Sequence, residues 1–140
     1  MHRDKDFFTK YSHGKQFEQT VFDICSSFNC SRIEFKEWDF TLSEKLIEVK
    51  SIRYSFEQFG KQLYPKKKLE AQLKENKPTF YLLQDKEGRL FYCRIDLLDV
   101  DSLEEINLKL SSKPAELHVY IPLDVFIEVS SLEEFFKKIS

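Results

Sequence analysis

Glycine and proline are scarce, with 3 and 4 residues in a chain of 140. Their scarcity excludes a collagen-like repeat and a Pro/Gly-rich disordered segment. Cysteine is equally sparse. Cys25, Cys30 and Cys93 are odd in number and show no C-x-x-C spacing, so a structural zinc site or iron–sulfur cluster lacks ligands. Reduced, partly buried thiols are the simplest expectation. Positive charge is not in excess either: 22 Lys and Arg against 24 Asp and Glu give −2. A nucleic-acid partner would therefore have to be met by locally concentrated charge. No run approaches the roughly 18 apolar residues of a membrane span. The N-terminus M-H-R-D-K-D-F-F lacks the apolar core of a signal peptide. These absences lead us to expect a soluble, cytoplasmic protein with no membrane partner. What is abundant is aromatic, 14 Phe, 6 Tyr and 1 Trp. Such a composition and length suit a single domain over residues 1–140 with a genuine core.

Residues 38 to 53, W-D-F-T-L-S-E-K-L-I-E-V-K-S-I-R, carry the chemistry. Two β-prone runs flank Ser43-Glu44, so the segment reads as a hairpin. With the turn centred there, Trp38 faces Val49, Phe40 faces Ile47 and Asp39 lies opposite Glu48. Alternation along the strands puts Trp38, Phe40, Ile47 and Val49 on one apolar face. Asp39, Glu48 and Lys50 share the other. Opposed residues have Cβ atoms roughly 4.5–5.5 Å apart and like charges there repel, so something must offset two facing carboxylates. A shared proton, a salt bridge to Lys50 and a divalent cation are the three candidates. Hard cations such as Mg²⁺ (or Mn²⁺) take one or two carboxylates plus waters and phosphate oxygens. An ammonium two residues along could orient a water or steady a phosphate, an arrangement suited to metal-assisted phosphodiester hydrolysis.

Asp39, eight residues, then Glu48-Val49-Lys50 resembles the D…(D/E)-x-K signature of the PD-(D/E)XK nuclease superfamily. Restriction endonucleases and archaeal Holliday-junction resolvases belong to it. The resemblance implies an α/β fold of α+β mixed-sheet type. Its restriction endonuclease-like core runs helix, β-hairpin, helix, strand, strand, here with an added C-terminal strand and helix. It implies a Mg²⁺-dependent deoxyribonuclease with DNA as partner and no nucleotide cofactor. Asp39, Glu48 and the Val49 carbonyl would hold the metal, and Lys50 would position the attacking water or stabilise the phosphate. The phrase H-G-K-Q-F-E resembles the G-x-x-x-E helix start of resolvase-like members at Gly14 and Glu18, which adds Glu18 to the catalytic set. Cutting both strands demands two active sites, so a homodimer is expected. Two other readings stay open: a nuclease fold that has lost activity and serves as a binding or regulatory subunit, and an interaction domain in which E-V-K is a solvated strand face.

Elsewhere the patterns are plainer. Ser12 to Phe28 reads as a helix capped by Ser12, burying Phe17, Val21, Ile24 and Phe28, with Phe22 and Cys25 widening the stripe. Ser31 to Phe40 reads as one strand. Pro65 to Asn76 reads as a helix with Leu69 and Leu73 inward. Lys61, Lys66, Lys67 and Lys68 precede or begin it and form a candidate phosphate-tracking patch, with Gln62 or Gln72 as further polar contacts. T-F-Y-L-L-Q (79–84) reads as a strand buried on both faces. D-K-E-G-R (85–89) reads as a turn and Leu90 to Ile95 as the returning strand. Ser102 with Glu105 and Ser131 with Glu134 both read as capping boxes opening helices. Glu116 to Ile121 reads as a strand in which His118 is structural. The last helix turns Leu132, Phe135, Phe136 and Ile139 to one side.

Overall fold

The computed structural model describes residues 2–32, 39–109 and 114–140, with the first twelve of these described by backbone alone. It is a mixed α/β structure with three helices and a mixed six-stranded sheet. In chain order come helix α1 (His2–Cys25), strands β1 (Cys30–Arg32), β2 (Phe40–Leu42), β3 (Lys45–Ser51) and β4 (Lys61–Pro65), and helix α2 (Lys66–Leu73). Strands β5 (Thr79–Gln84), β6 (Leu90–Arg94), β7 (Glu105–Leu108), β8 (Glu116–Pro122) and β9 (Ile127–Val129) follow, and helix α3 (Leu132–Ile139) ends the chain. The main sheet runs β1-β2-β3-β5-β6-β9, with β3 and β5 parallel and every other pair antiparallel. A second sheet orders β4-β8-β7.

The expected hairpin forms in the expected register. Phe40 pairs with Ile47, Thr41 with Leu46 and Leu42 with Lys45. Ser43 takes the tight turn at φ 56°. The expected partner of Val49, Trp38, lies outside the described residues.

Alternation along β5 explains why its apolar run is continuous. Phe80 and Leu82 face one core with Phe17, Val21, Phe40, Ile47 and the α3 residues Phe135 and Phe136. Tyr81 and Leu83 face a second core with Tyr64, Leu69, Phe91, Val119 and Ile121. The main sheet is therefore a middle layer. Helices α1 and α3 cover one face, while α2 and the small sheet cover the other. At the β5–β6 turn Gly88 sits at φ 80°, and the Asp85 carboxylate gathers the N–H groups of Phe56, Glu87 and Arg89. Ser131 caps α3 as its box predicts, its hydroxyl accepting from Glu134 N at 3.1 Å.

Several expectations need correction. The first helix begins at His2, so Ser12 lies within it rather than at its cap. Phe22 is exposed, with the Arg32 guanidinium 5.9 Å from its ring centre. Ser31 to Phe40 is not one strand. Cys30–Arg32 pairs antiparallel with Phe40–Leu42, so the chain reverses between them. Lys61–Pro65 is a strand, β4, whose alternation buries Gln62 and Tyr64. The Ser102–Glu105 capping box opens no helix, because Glu105 begins β7 and pairs with Val119. Beyond the core order of α1, hairpin, α2, β5 and β6, the chain adds three strands and a helix rather than one strand and a helix. All three cysteines are free and buried. No helix among the described residues is long and apolar enough to cross a membrane.

Candidate functional site

Strand β2 pairs with Lys45–Ile47 alone, so Glu48 to Ser51 run past it along the open side of β3. Asp39, just before β2, closes the end of the ladder. Its N–H donates to Ile47 O at 3.0 Å, and its Oδ2 accepts the Val49 N–H at 2.8 Å. The side chain thus takes the place of a backbone acceptor and fixes the carboxylate against the start of E-V-K. Here a cleft of about 300 Å³ opens, lined by Gly14, Glu18, Asp39, Glu48, Val49, Lys50 and Ser51 among others. Gly14 and Glu18 lie one helical turn apart on α1, which brings the G-x-x-x-E phrase to the hairpin motif.

Glu48 is the most unusual group in it. The residue is 7 % exposed and lies beside Tyr81 across the parallel pairing. Its Oε1 accepts from the ammonium of Lys68, on the first turn of α2. Its Oε2 is buried with no hydrogen-bond partner. Burial, reinforced by the Asp39 charge, pushes the Glu48 carboxyl up to about 8. Asp39 is raised too, first by burial and then by Glu18, against the opposing pull of the Val49 N–H, Lys68 and Arg32. The Lys50 amine is lowered, chiefly by desolvation and next by the Lys68 charge. Two acids raised and an amine lowered within one cleft is a pattern that functional sites share with structural ion-pair networks.

Glu18 lines the cleft but is engaged elsewhere, 3.4 Å from Lys15 and 3.5 Å from Arg32. It reaches Asp39 through its charge. Sequence reading missed Ser51, whose buried hydroxyl also lacks a partner and lines the same cleft. It missed the place of Lys68 as well. The four expected phosphate lysines do not form one patch. Lys61 and Lys66 are ion-paired with Glu104 and Glu105, Lys67 is exposed, and Lys68 meets Glu48. Gln62 and Gln72 are interior struts. Gln62 donates to Phe56 O at 3.1 Å, and Gln72 accepts the Tyr64 hydroxyl at 2.5 Å. His118 is buried, its Nδ1 3.0 Å from Glu116 O.

A divalent cation fits these donors. The unpartnered Glu48 Oε2 is a buried hard oxygen, and Asp39 lines the same cleft. Among the described residues no group of three or more His, Cys, Asp or Glu side chains could hold a metal. Compared with known proteins, the chain matches no family model and no curated sequence.

Proposed function

We propose that the chain is a metal-dependent endonuclease that hydrolyses DNA phosphodiester bonds on a restriction endonuclease-like core. The buried, unpartnered Glu48 Oε2 in the Asp39–Lys50 cleft is the observation that carries this reading. The succession of α1, the β2–β3 hairpin, α2, β5 and β6, with β1 and β4 interposed, and the parallel β3–β5 pair support the fold assignment.

Asp39, Glu48 and the Val49 carbonyl would hold Mg²⁺ or Mn²⁺. Bound there, the cation would polarise the phosphate and lower the pKa of a water. The chain's own groups do the rest. Asp39, tied to Val49 N–H, keeps its carboxylate from turning away from the cleft. Lys50, with its amine lowered, takes a proton from the attacking water or donates to the phosphate more readily than an ordinary lysine. Lys68 supplies positive charge at the wall and is free to meet a substrate phosphate once Glu48 is engaged elsewhere. Glu18 holds Lys15 and Arg32 at the rim, where they face incoming DNA. Cleavage of both strands would need a second copy.

A second reading has its own observation. The Lys68–Glu48 pair already supplies a counter-charge, as a nuclease fold retained only for binding would. Incubation of linear, single-stranded and branched DNA with Mg²⁺, beside Lys50→Ala, decides between them. Cleavage by the parent and none by the variant supports the nuclease. No cleavage of any substrate leaves the binding subunit.

A further inference from the structure

A second concavity lies outside the cleft. Tyr54, Phe59, Lys61, Leu63 and Tyr120 enclose about 410 Å³, within the size range of small-ligand sites. Tyr54 and Phe59 meet edge to face, with ring centres 4.8 Å apart. The Tyr54 hydroxyl donates to buried Gln62 at 3.3 Å, which fixes its ring. Phe59 is 60 % exposed on the turn before β4, a poor place for a phenyl ring that only packs. Lys61 Nζ lies 3.9 Å from the centre of the Tyr120 ring and 3.5 Å from Glu104, so the hollow has a cation at its rim.

We propose that this hollow seats an unpaired nucleobase of the DNA strand that passes the Asp39–Glu48–Lys50 cleft, making single-stranded or frayed DNA the preferred substrate. The inference rests on the nuclease reading and names its substrate class. Three π-faces around a hollow with one ammonium form the pairing by which proteins hold single strands without reading sequence, rings for the bases and cations for the backbone. An apolar peptide side chain would need no cation at the rim. Distance supports the same occupant. Ser51 lines the cleft and Tyr54 the hollow, and three peptide steps span at most about 11 Å. The two concavities are thus flanked by backbone positions close enough for one strand to pass both.

A short single-stranded oligodeoxynucleotide carrying 2-aminopurine, mixed with the protein in Ca²⁺ without Mg²⁺, tests this directly. The parent should quench its fluorescence on binding. Phe59→Ala and Tyr120→Ala, each checked by its melting curve, should lose the quenching and bind roughly tenfold or more weakly, as expected for one lost stacking contact. Lys61→Ala should keep the quenching but flatten the salt dependence by about one contact. Unchanged quenching in Phe59→Ala, or no quenching by the parent, overturns the base site even where Mg²⁺-dependent cleavage is found. Aromatic-dependent quenching with no cleavage by the parent supports the base site and removes the nuclease instead.

Discussion

Lys68 and Glu48 lie twenty positions apart in sequence and meet through one carboxyl oxygen only, Oε1 being taken and Oε2 left bare. A lysine and a divalent cation both favour the charged glutamate, yet they repel one another. At a pH high enough to ionise Glu48 even without Lys68, whose charge and hydrogen bond both lower its carboxyl, removing the lysine should therefore strengthen metal binding. We expect Lys68→Met to bind Mg²⁺ several-fold more tightly than the parent by calorimetry at about that pH. Equal or weaker binding would place the cation away from Glu48.

The same carboxyl gives a proton signal. With Glu48 raised to about 8 by burial and by Asp39, the metal-free protein holds a proton there around pH 7. A cation must displace it. Mg²⁺ binding should release close to one proton at about pH 7, with affinity climbing as pH rises toward 8. Titrations in buffers of different ionisation heat measure this. Stability follows the opposite slope. Between the ordinary 4.5 and about 8, the folded state holds a proton that the unfolded state has lost. The contribution is thus full at low pH and disappears as pH rises through the folded value. Thermal melts without metal should show Glu48→Gln gaining on the parent across that interval, by a few kcal/mol at most. Parallel pH profiles would contradict the raised carboxyl.

Lys50 ends an exposed position on β3, so its removal should leave the fold alone. Lys50→Ala is expected to lower cleavage by about 10²- to 10⁴-fold, the usual share of a positioned proton donor or acceptor, with an unchanged melting curve. Lys50→Arg should not restore activity, because a guanidinium does not give up its proton. Full activity in Lys50→Ala would remove the lysine from the mechanism.

Local pattern and long-range geometry were unequally legible in the chain. The register of the hairpin follows from its turn and its alternation, so Phe40 and Ile47 could be paired by counting, whereas the expected Asp39–Glu48 pair lies beyond the ladder, Asp39 bonding to Ile47 O and Val49 N instead. The two-faced burial of β5 is legible in its unbroken apolar run. Lys68 carried no such sign. It stands in a run of three lysines, and its reach to Glu48 depends on how α2 lies over the sheet, which no local period encodes. β4 was hidden for a related reason. Its inward residues include Gln62, a polar residue satisfied by Phe56 O and Tyr54, so the strand lacks the apolar alternation that would reveal it. Glu105 satisfied the spacing of a capping box, but pairing with β8 won, because a helix start is worth about 1 kcal/mol and a full strand ladder more.

The Tyr64–Gln72 bond separates a structural role from a functional one on α2. Tyr64 is 2 % exposed and Gln72 fully buried, and the hydroxyl donates to Gln72 Oε1 at 2.5 Å. Tyr64 also stands near Glu48, whose charge is among the causes, after burial, that hold its phenol well above the usual range. It is therefore neutral at any working pH and can act only as a donor. Tyr64→Phe removes that donor and keeps the ring, which meets Tyr81 edge to face at 5.0 Å. Losing one buried hydrogen bond costs roughly 0.5–1.5 kcal/mol, so the variant should be less stable by about that amount in chemical denaturation. Its DNA affinity and the salt dependence of that affinity should match the parent's, because Gln72 supports the helix from within and touches no phosphate. A reduced salt slope with stability intact would return Gln72 to the nucleic-acid surface.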